Sequence, residues 1–131
     1  MYGAWHFENQ QIRLGEAEYR RALKLFPYDP AVSYNMADQY RRLGMCEPAL
    51  PLYKWTREVD PDFPFGRTAY ADCLLRTGHY AEAKQMAYVA LAAGGDVRLT
   101  RRLVAVADSL SQSRVGHGMP ASRPIQSGKV P

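Results

Sequence analysis

Residues 30–63 read PAVSYNMADQYRRLGMCEPALPLYKWTREVDPDF, and residues 64–97 read PFGRTAYADCLLRTGHYAEAKQMAYVALAAGGDV. Laid over one another, these two 34-residue stretches place Pro30 on Pro64, Met36 on Tyr70, Ala37 on Ala71, Gly44 on Gly78 and Ala49 on Ala83. The same step carries upstream, where Gly15 precedes Ala49, Tyr19 precedes Tyr53 and Pro27 precedes Pro61. It carries downstream to Val104 and Ala105, which follow Tyr70 and Ala71. No insertion is needed to hold the register. A repeat of this length marks a stack of identical supersecondary units.

Each unit reads as two helices. Val32, Met36, Tyr40 and Leu43 recur at helical spacing along one face, and Gly44 then supplies the left-handed residue that ends a helix. A second helix is expected from about Glu47 to Val59, closing before Asp60-Pro61 because a residue preceding proline is pushed out of the α region. Pro48 suits a first helical turn, whereas Pro51 removes an intrahelical hydrogen bond, so a kink or late start is expected there. Ala37, Ala49, Ala71 and Ala83 mark close helix contacts, and Tyr40, Tyr53, Tyr70 and Tyr80 fill the wider gaps.

This pattern resembles the tetratricopeptide repeat (TPR). Residues 30–63 supply Met36-Ala37, Tyr40, Gly44, Ala49, Tyr53, Thr56 and Pro61 in its slots, and residues 64–97 supply Tyr70-Ala71, Leu74, Gly78, Tyr80, Ala83, Ala90 and Gly95. Ser33 and Arg67 depart from the first aromatic slot, and Gly95 from the closing proline. The resemblance implies an all-α, right-handed superhelical solenoid of antiparallel helix pairs. Its parts would be a truncated first repeat at 1–29, repeats at 30–63 and 64–97, and a capping helix at 97–110 carrying Arg98, Arg101, Arg102 and Asp108. The first repeat would open before Met1, leaving its first helix as Tyr2 to about Asn9, as expected of a fragment, of a mis-assigned start, or of an edge covered by a partner. Residues 111–131 are rich in Ser, Gly and Pro without an aromatic, and are expected to form a disordered tail.

Composition narrows the function. Apolar residues make up 47% of the 131, enough for a packed core. The net charge of +4 looks basic, but residues 1–110 hold 14 of the 17 Lys and Arg and all 13 acidic residues. The excess therefore sits in the tail, diluted rather than clustered on a face, which argues against a nucleic-acid partner. No apolar run approaches a bilayer span, and MYGAWHFENQ has no basic, apolar leader; a cytoplasmic protein is expected. His6, His79 and His117 are scattered, with no HExxH, CxxC or phosphate-binding glycine loop. Cys46 and Cys73 take packing slots and read as core thiols; a Cys46–His79 nucleophile pair would lack an orienting acid and an oxyanion hole. No metal, no cofactor and no catalytic residue is expected.

What remains is a surface for binding protein. In TPR solenoids the first helices of the repeats line a concave groove, and the corresponding positions here are Tyr34, Asp38, Arg41, Phe65, Thr68, Asp72, Leu75, Leu99, Arg102 and Val106. Mixed aromatic, aliphatic and charged groups suit an extended peptide or protein segment, with apolar anchors and charges that set register. The resemblance argues against the chaperone carboxylate clamp: only Asn35 matches it, while Phe65 and Ala69 stand where its second Lys and its Arg belong. Trp55 is expected to face solvent on the convex side. The leading expectation is a non-catalytic interaction module. The alternative is the C-terminal repeat segment of a larger enzyme such as a glycosyltransferase.

Overall fold

The computed structural model describes residues 2–118. These form six helices: α1 (Tyr2–Leu25), α2 (Pro30–Arg42), α3 (Cys46–Val59), α4 (Arg67–Arg76), α5 (Tyr80–Ala92) and α6 (Val97–Gly118). Among the described residues there is no strand. Helices α2 with α3, and α4 with α5, form the two antiparallel pairs, and α6 packs on α5. One layer runs α2, α4, α6, each touching the next.

The turns repeat as the sequence repeats. Gly44 and Gly78 have φ of 77° and 87°, a left-handed conformation that residues with a side chain adopt only at a cost in local strain. Space is not the reason, since a Cβ on Gly44 would touch nothing. With that residue left-handed, the Met45 amide donates to the Tyr40 carbonyl (2.8 Å) and the His79 amide to the Leu74 carbonyl (2.9 Å). Both bonds satisfy carbonyls that a helix end would otherwise leave unpaired. At the start of α2, the Asp29 carboxylate accepts from the Ala31 amide (2.9 Å), with Pro30 following in the first turn.

Close packing falls on the small residues. Ala37, Ala49, Ala71 and Ala83 are at most 1% exposed. Tyr53 fills the space between the two repeats and stacks on Tyr70 at 5.8 Å between ring centres. At the far end of the first pair, Ser33 and Thr56 share a buried hydroxyl hydrogen bond of 2.7 Å, which fixes the antiparallel register of α2 on α3.

Four expectations are corrected. A short first helix ending near Asn9 does not exist: α1 is unbroken from Tyr2 to Leu25. The physical cause is Gln10, which stands one repeat before Gly44 and two before Gly78; with a Cβ there, the left-handed turn is disfavoured and the helix runs on. Helix α4 starts at Arg67 and so excludes Phe65, expected on a groove-lining first helix, because Gly66 at its N-cap is left-handed (φ 92°). The helix expected to end at residue 110 extends to Gly118; the part of the expected tail beyond it lies outside the described residues. Cys46 and Cys73 are not separate thiols. They form a disulfide tying α3 to α4, with Cα atoms 5.1 Å apart, inside the range such a bond requires. Pro51 does lie within α3, but the helix opens at Cys46, ahead of both prolines.

Candidate binding groove

The layer of α2, α4 and α6 leaves a cleft of about 450 Å³ lined by Arg41, Thr68, Ala69, Asp72, Leu99 and Leu103. Thr68 and Asp72 on α4, like Leu99 and Leu103 on α6, are one turn apart, so each helix turns one face to the cleft. Of the ten groove positions expected from sequence, four meet here: Arg41, Thr68, Asp72 and Leu99. Ala69 and Leu103 were missed as lining residues; their apolar character and their place beside Thr68 and Leu99 on the same helix faces were the available signal.

The other six take different places. Leu75 packs against both core clusters, so it belongs to the interior. Asp38 is also interior, at 6% exposed. Its carboxylate accepts from Arg41 Nη2 (2.8 Å) and Nε (3.2 Å), and pairs with Arg42 at 2.8 Å. The Tyr53 hydroxyl closes this network by accepting from Arg41 Nε at 3.2 Å. Burial pushes the Tyr53 phenol up to about 12, and the bond to Asp38 holds the Arg41 guanidinium charged, its pKa raised.

Phe65 lies in the loop before α4, not on the helix. Its ring is 6.0 Å from Tyr34 and 5.7 Å from Phe63, an aromatic cluster of three. It also lines a second cleft of about 250 Å³ that shares Thr68 and Ala69 with the first, so the aromatic cluster continues the groove. Arg102 and Val106 are exposed on α6. Outside the groove, Trp55 is exposed as expected and packs near Tyr28, 6.4 Å between rings.

The charges sort unevenly. Asp38 is engaged by Arg41 and Arg42, and Asp72 pairs with Arg76 at 3.1 Å. Three arginines therefore pair with two aspartates, and with Arg102 exposed on α6 basic charge outnumbers acidic along the rim. Among the described residues no group of His, Cys, Asp and Glu could hold a metal ion. The Cys46–His79 pair weighed above is closed by the disulfide; His79 instead bonds the Thr77 hydroxyl through Nδ1 at 2.8 Å. Among the described residues no helix is long and apolar enough to cross a membrane.

A similar arrangement of paired helices occurs in solved TPR structures. The TPR domain of Sgt2 from Aspergillus fumigatus superimposes with a TM-score of 0.65 at 20% identity, covering 94% of this chain and 80% of that one. This chain has the TPR fold. The TPR2B domain of yeast Sti1 in its complex with pHsp70 gives a TM-score of 0.62 at 20% identity, over 79% of this chain and 98% of that one. The Yersinia enterocolitica type III secretion chaperone SycD, in complex with a peptide of the translocator YopD, gives 0.58 at 18% identity, over 84% and 91%. No protein-family model matches the sequence, and no curated protein matches it.

Proposed function

We infer that this TPR chain is a non-catalytic interaction module that binds an extended peptide segment along the α2–α4–α6 cleft. The observation that carries this reading is the cleft itself. An apolar floor of Ala69, Leu99 and Leu103 lies beside Arg41, Thr68 and Asp72, so anchor pockets and polar register points sit together. Two of the TPR-fold structures named above are complexes, one with pHsp70 and one with a translocator peptide. The excess of arginine at the rim selects acidic residues flanking an apolar anchor, through encounter rate and specificity more than through affinity. The absence of lysine and arginine at the positions of Phe65 and Ala69 still argues against a carboxylate clamp. The glycosyltransferase alternative finds no support in these neighbours. For the compartment, the Cys46–Cys73 disulfide suits an oxidising environment better than the cytoplasm expected from sequence.

The test is selection from a random peptide library on the full chain, followed by titration of the enriched peptide. Leu99→Ala should weaken binding at all salt concentrations. Arg102→Glu should weaken it chiefly at low salt, because exposed charges are screened beyond about 10 Å at 0.1 M. Arg41 is the wrong residue to reverse, since it also neutralises buried Asp38. Enriched peptides that bind both variants as tightly as the parent would move the binding surface off this groove.

A further inference from the structure

The face of α1 that should be covered by a helix is only partly covered: Gly15 is buried against the Gln39 side chain, which donates to the Gln11 carbonyl, while the face beyond it is half-exposed. In the second repeat, Ala49, Tyr53 and Thr56 of α3 are at most 1% exposed, beneath α2. One repeat earlier these positions are Gly15, Tyr19 and Ala22 of α1, of which Tyr19 and Ala22 are only half-buried. Two adjoining clefts, of about 240 and 550 Å³, run between this face and α2. Their walls include Gly15, Tyr19 and Ala22 on one side and Val32, Met36 and Gln39 on the other. Leu14, at 60% exposed, stands at the edge.

The sequence carries a segment patterned for that slot. Tyr2-Gly3 falls in the column of Met36-Ala37 and Tyr70-Ala71, a large residue followed by a small one, and His6 falls in the column of Tyr40. In its own chain this segment cannot reach the slot. It continues directly into α1, because Gln10 occupies the position where Gly44 and Gly78 reverse the chain. The α2–α3 register, fixed by Ser33 against Thr56, sets Tyr2 opposite Tyr19 and His6 opposite Gly15 when carried back one repeat. Along one helix, Tyr2 and Tyr19 are about 25 Å apart. Between two helices the requirement is met without strain. Both pairings are symmetric about Gln10 and Gln11, so two α1 helices lying antiparallel across a twofold axis satisfy each pairing twice.

We propose that a second copy of this chain fills the α1–α2 slot: residues Tyr2–Asn9 of each protomer take the place that α2 takes over α3, on the other protomer's α1, giving a reciprocal, helix-exchanged dimer. Exchange of an identical element is a low-cost route to a closed twofold assembly. The interface is self-complementary, and Gln10 is the switch, since it keeps α1 open where a glycine would let the hairpin close on itself.

The experiment is light scattering on the full chain across a concentration series, with circular dichroism to confirm that each variant folds. The parent chain should show twice the monomer mass, dissociating on dilution. Tyr19→Glu, which places a charge in the slot, should shift the chain to monomer. Gln10→Gly should do so without any charge, by allowing residues 2–9 to fold back. A photo-crosslinker at position 2, in a mixture of isotopically light and heavy chains, should join residues 15–22 of a different copy. A parent chain that is monomeric throughout, a dimer indifferent to both substitutions, or crosslinks confined to one chain would each overturn the proposal.

Discussion

Asp38 and Asp72 occupy the same position in successive repeats, and the structure predicts that removing them has unequal effects. The Asp38 carboxylate is 8% exposed and holds Arg41, whose side chain is 30% exposed, at 2.8 Å. A hydrogen bond to a charged partner in such a setting contributes about 1.5–3 kcal/mol. Its second partner, Arg42, is 74% exposed, and an exposed pair adds about 0.2–1 kcal/mol. Asp72 is 29% exposed and its single partner Arg76 is 58% exposed, so the whole contribution falls in the surface range. Asp38→Ala should therefore cost about 2–3 kcal/mol, and it also strips the Tyr53–Arg41 contact of its carboxylate. Asp72→Ala should cost less than about 1 kcal/mol. In urea titrations the first variant should lower the midpoint by roughly 1–2 M and the second by a few tenths. High salt should erase the Asp72 effect and leave most of that of Asp38. Equal midpoints for the two variants would refute the assignment of Asp38 to the interior and Asp72 to the groove.

The remaining predictions are independent of that pair. Reducing Cys46–Cys73, which spans 27 residues of chain, should destabilise the fold by about 3.5 kcal/mol on loop-entropy grounds; urea midpoints with and without reductant measure it, and two titratable thiols in the unreduced, denatured chain would contradict the bond. The Tyr53 phenol sits near 12 when folded against an ordinary 10, so its contribution is complete below pH 10 and is lost as pH rises from 10 to 12. Up to about 3 kcal/mol should disappear over that interval, and Tyr53→Phe should flatten the alkaline slope of the urea midpoint.

The parts of this fold that were legible in the sequence are those that depend on local backbone chemistry. Gly44 and Gly78 mark turns because only glycine takes their φ at no cost, and the alanines of the 34-residue register mark close contacts because nothing larger fits. The unbroken α1 follows the same rule read in the negative, through Gln10 in a glycine column. The disulfide was not legible. Cys46 and Cys73 occupy different positions in their repeats, so periodicity gives no reason to pair them; their approach comes from the stacking of α3 on α4. Where the α2–α4–α6 cleft runs was legible, and less so which residues line it. Periodicity placed Asp38 and Leu75 on the correct helices, but whether such a side chain turns inward depends on partners such as Tyr53 and Arg41 that only packing reveals. Phe65 left its expected helix because Gly66 ends the loop one residue before α4 begins.

The tie between α3 and α4 gives the groove one fixed jaw and one adjustable jaw. Arg41 on α2 and the Thr68–Asp72 face of α4 belong to neighbouring repeats that are held together by the Cys46–Cys73 bond and by the stacked rings of Tyr53 and Tyr70. The covalent bond ties α4 to α3, on which α2 packs, so it restrains their separation. The wall made by Leu99 and Leu103 is hinged differently. Helix α6 is held by noncovalent packing on α5 and α4 and by the Lys84–Asp108 ion pair on the surface. Contacts in a solenoid are confined to near neighbours, so, if the cleft takes a side chain as proposed, one too wide for it would displace α6 before α2 or α4. On the binding reading proposed above, selectivity for residue size would be lodged in α6, while the positions of Arg41, Thr68 and Asp72 would depend little on what the cleft contains.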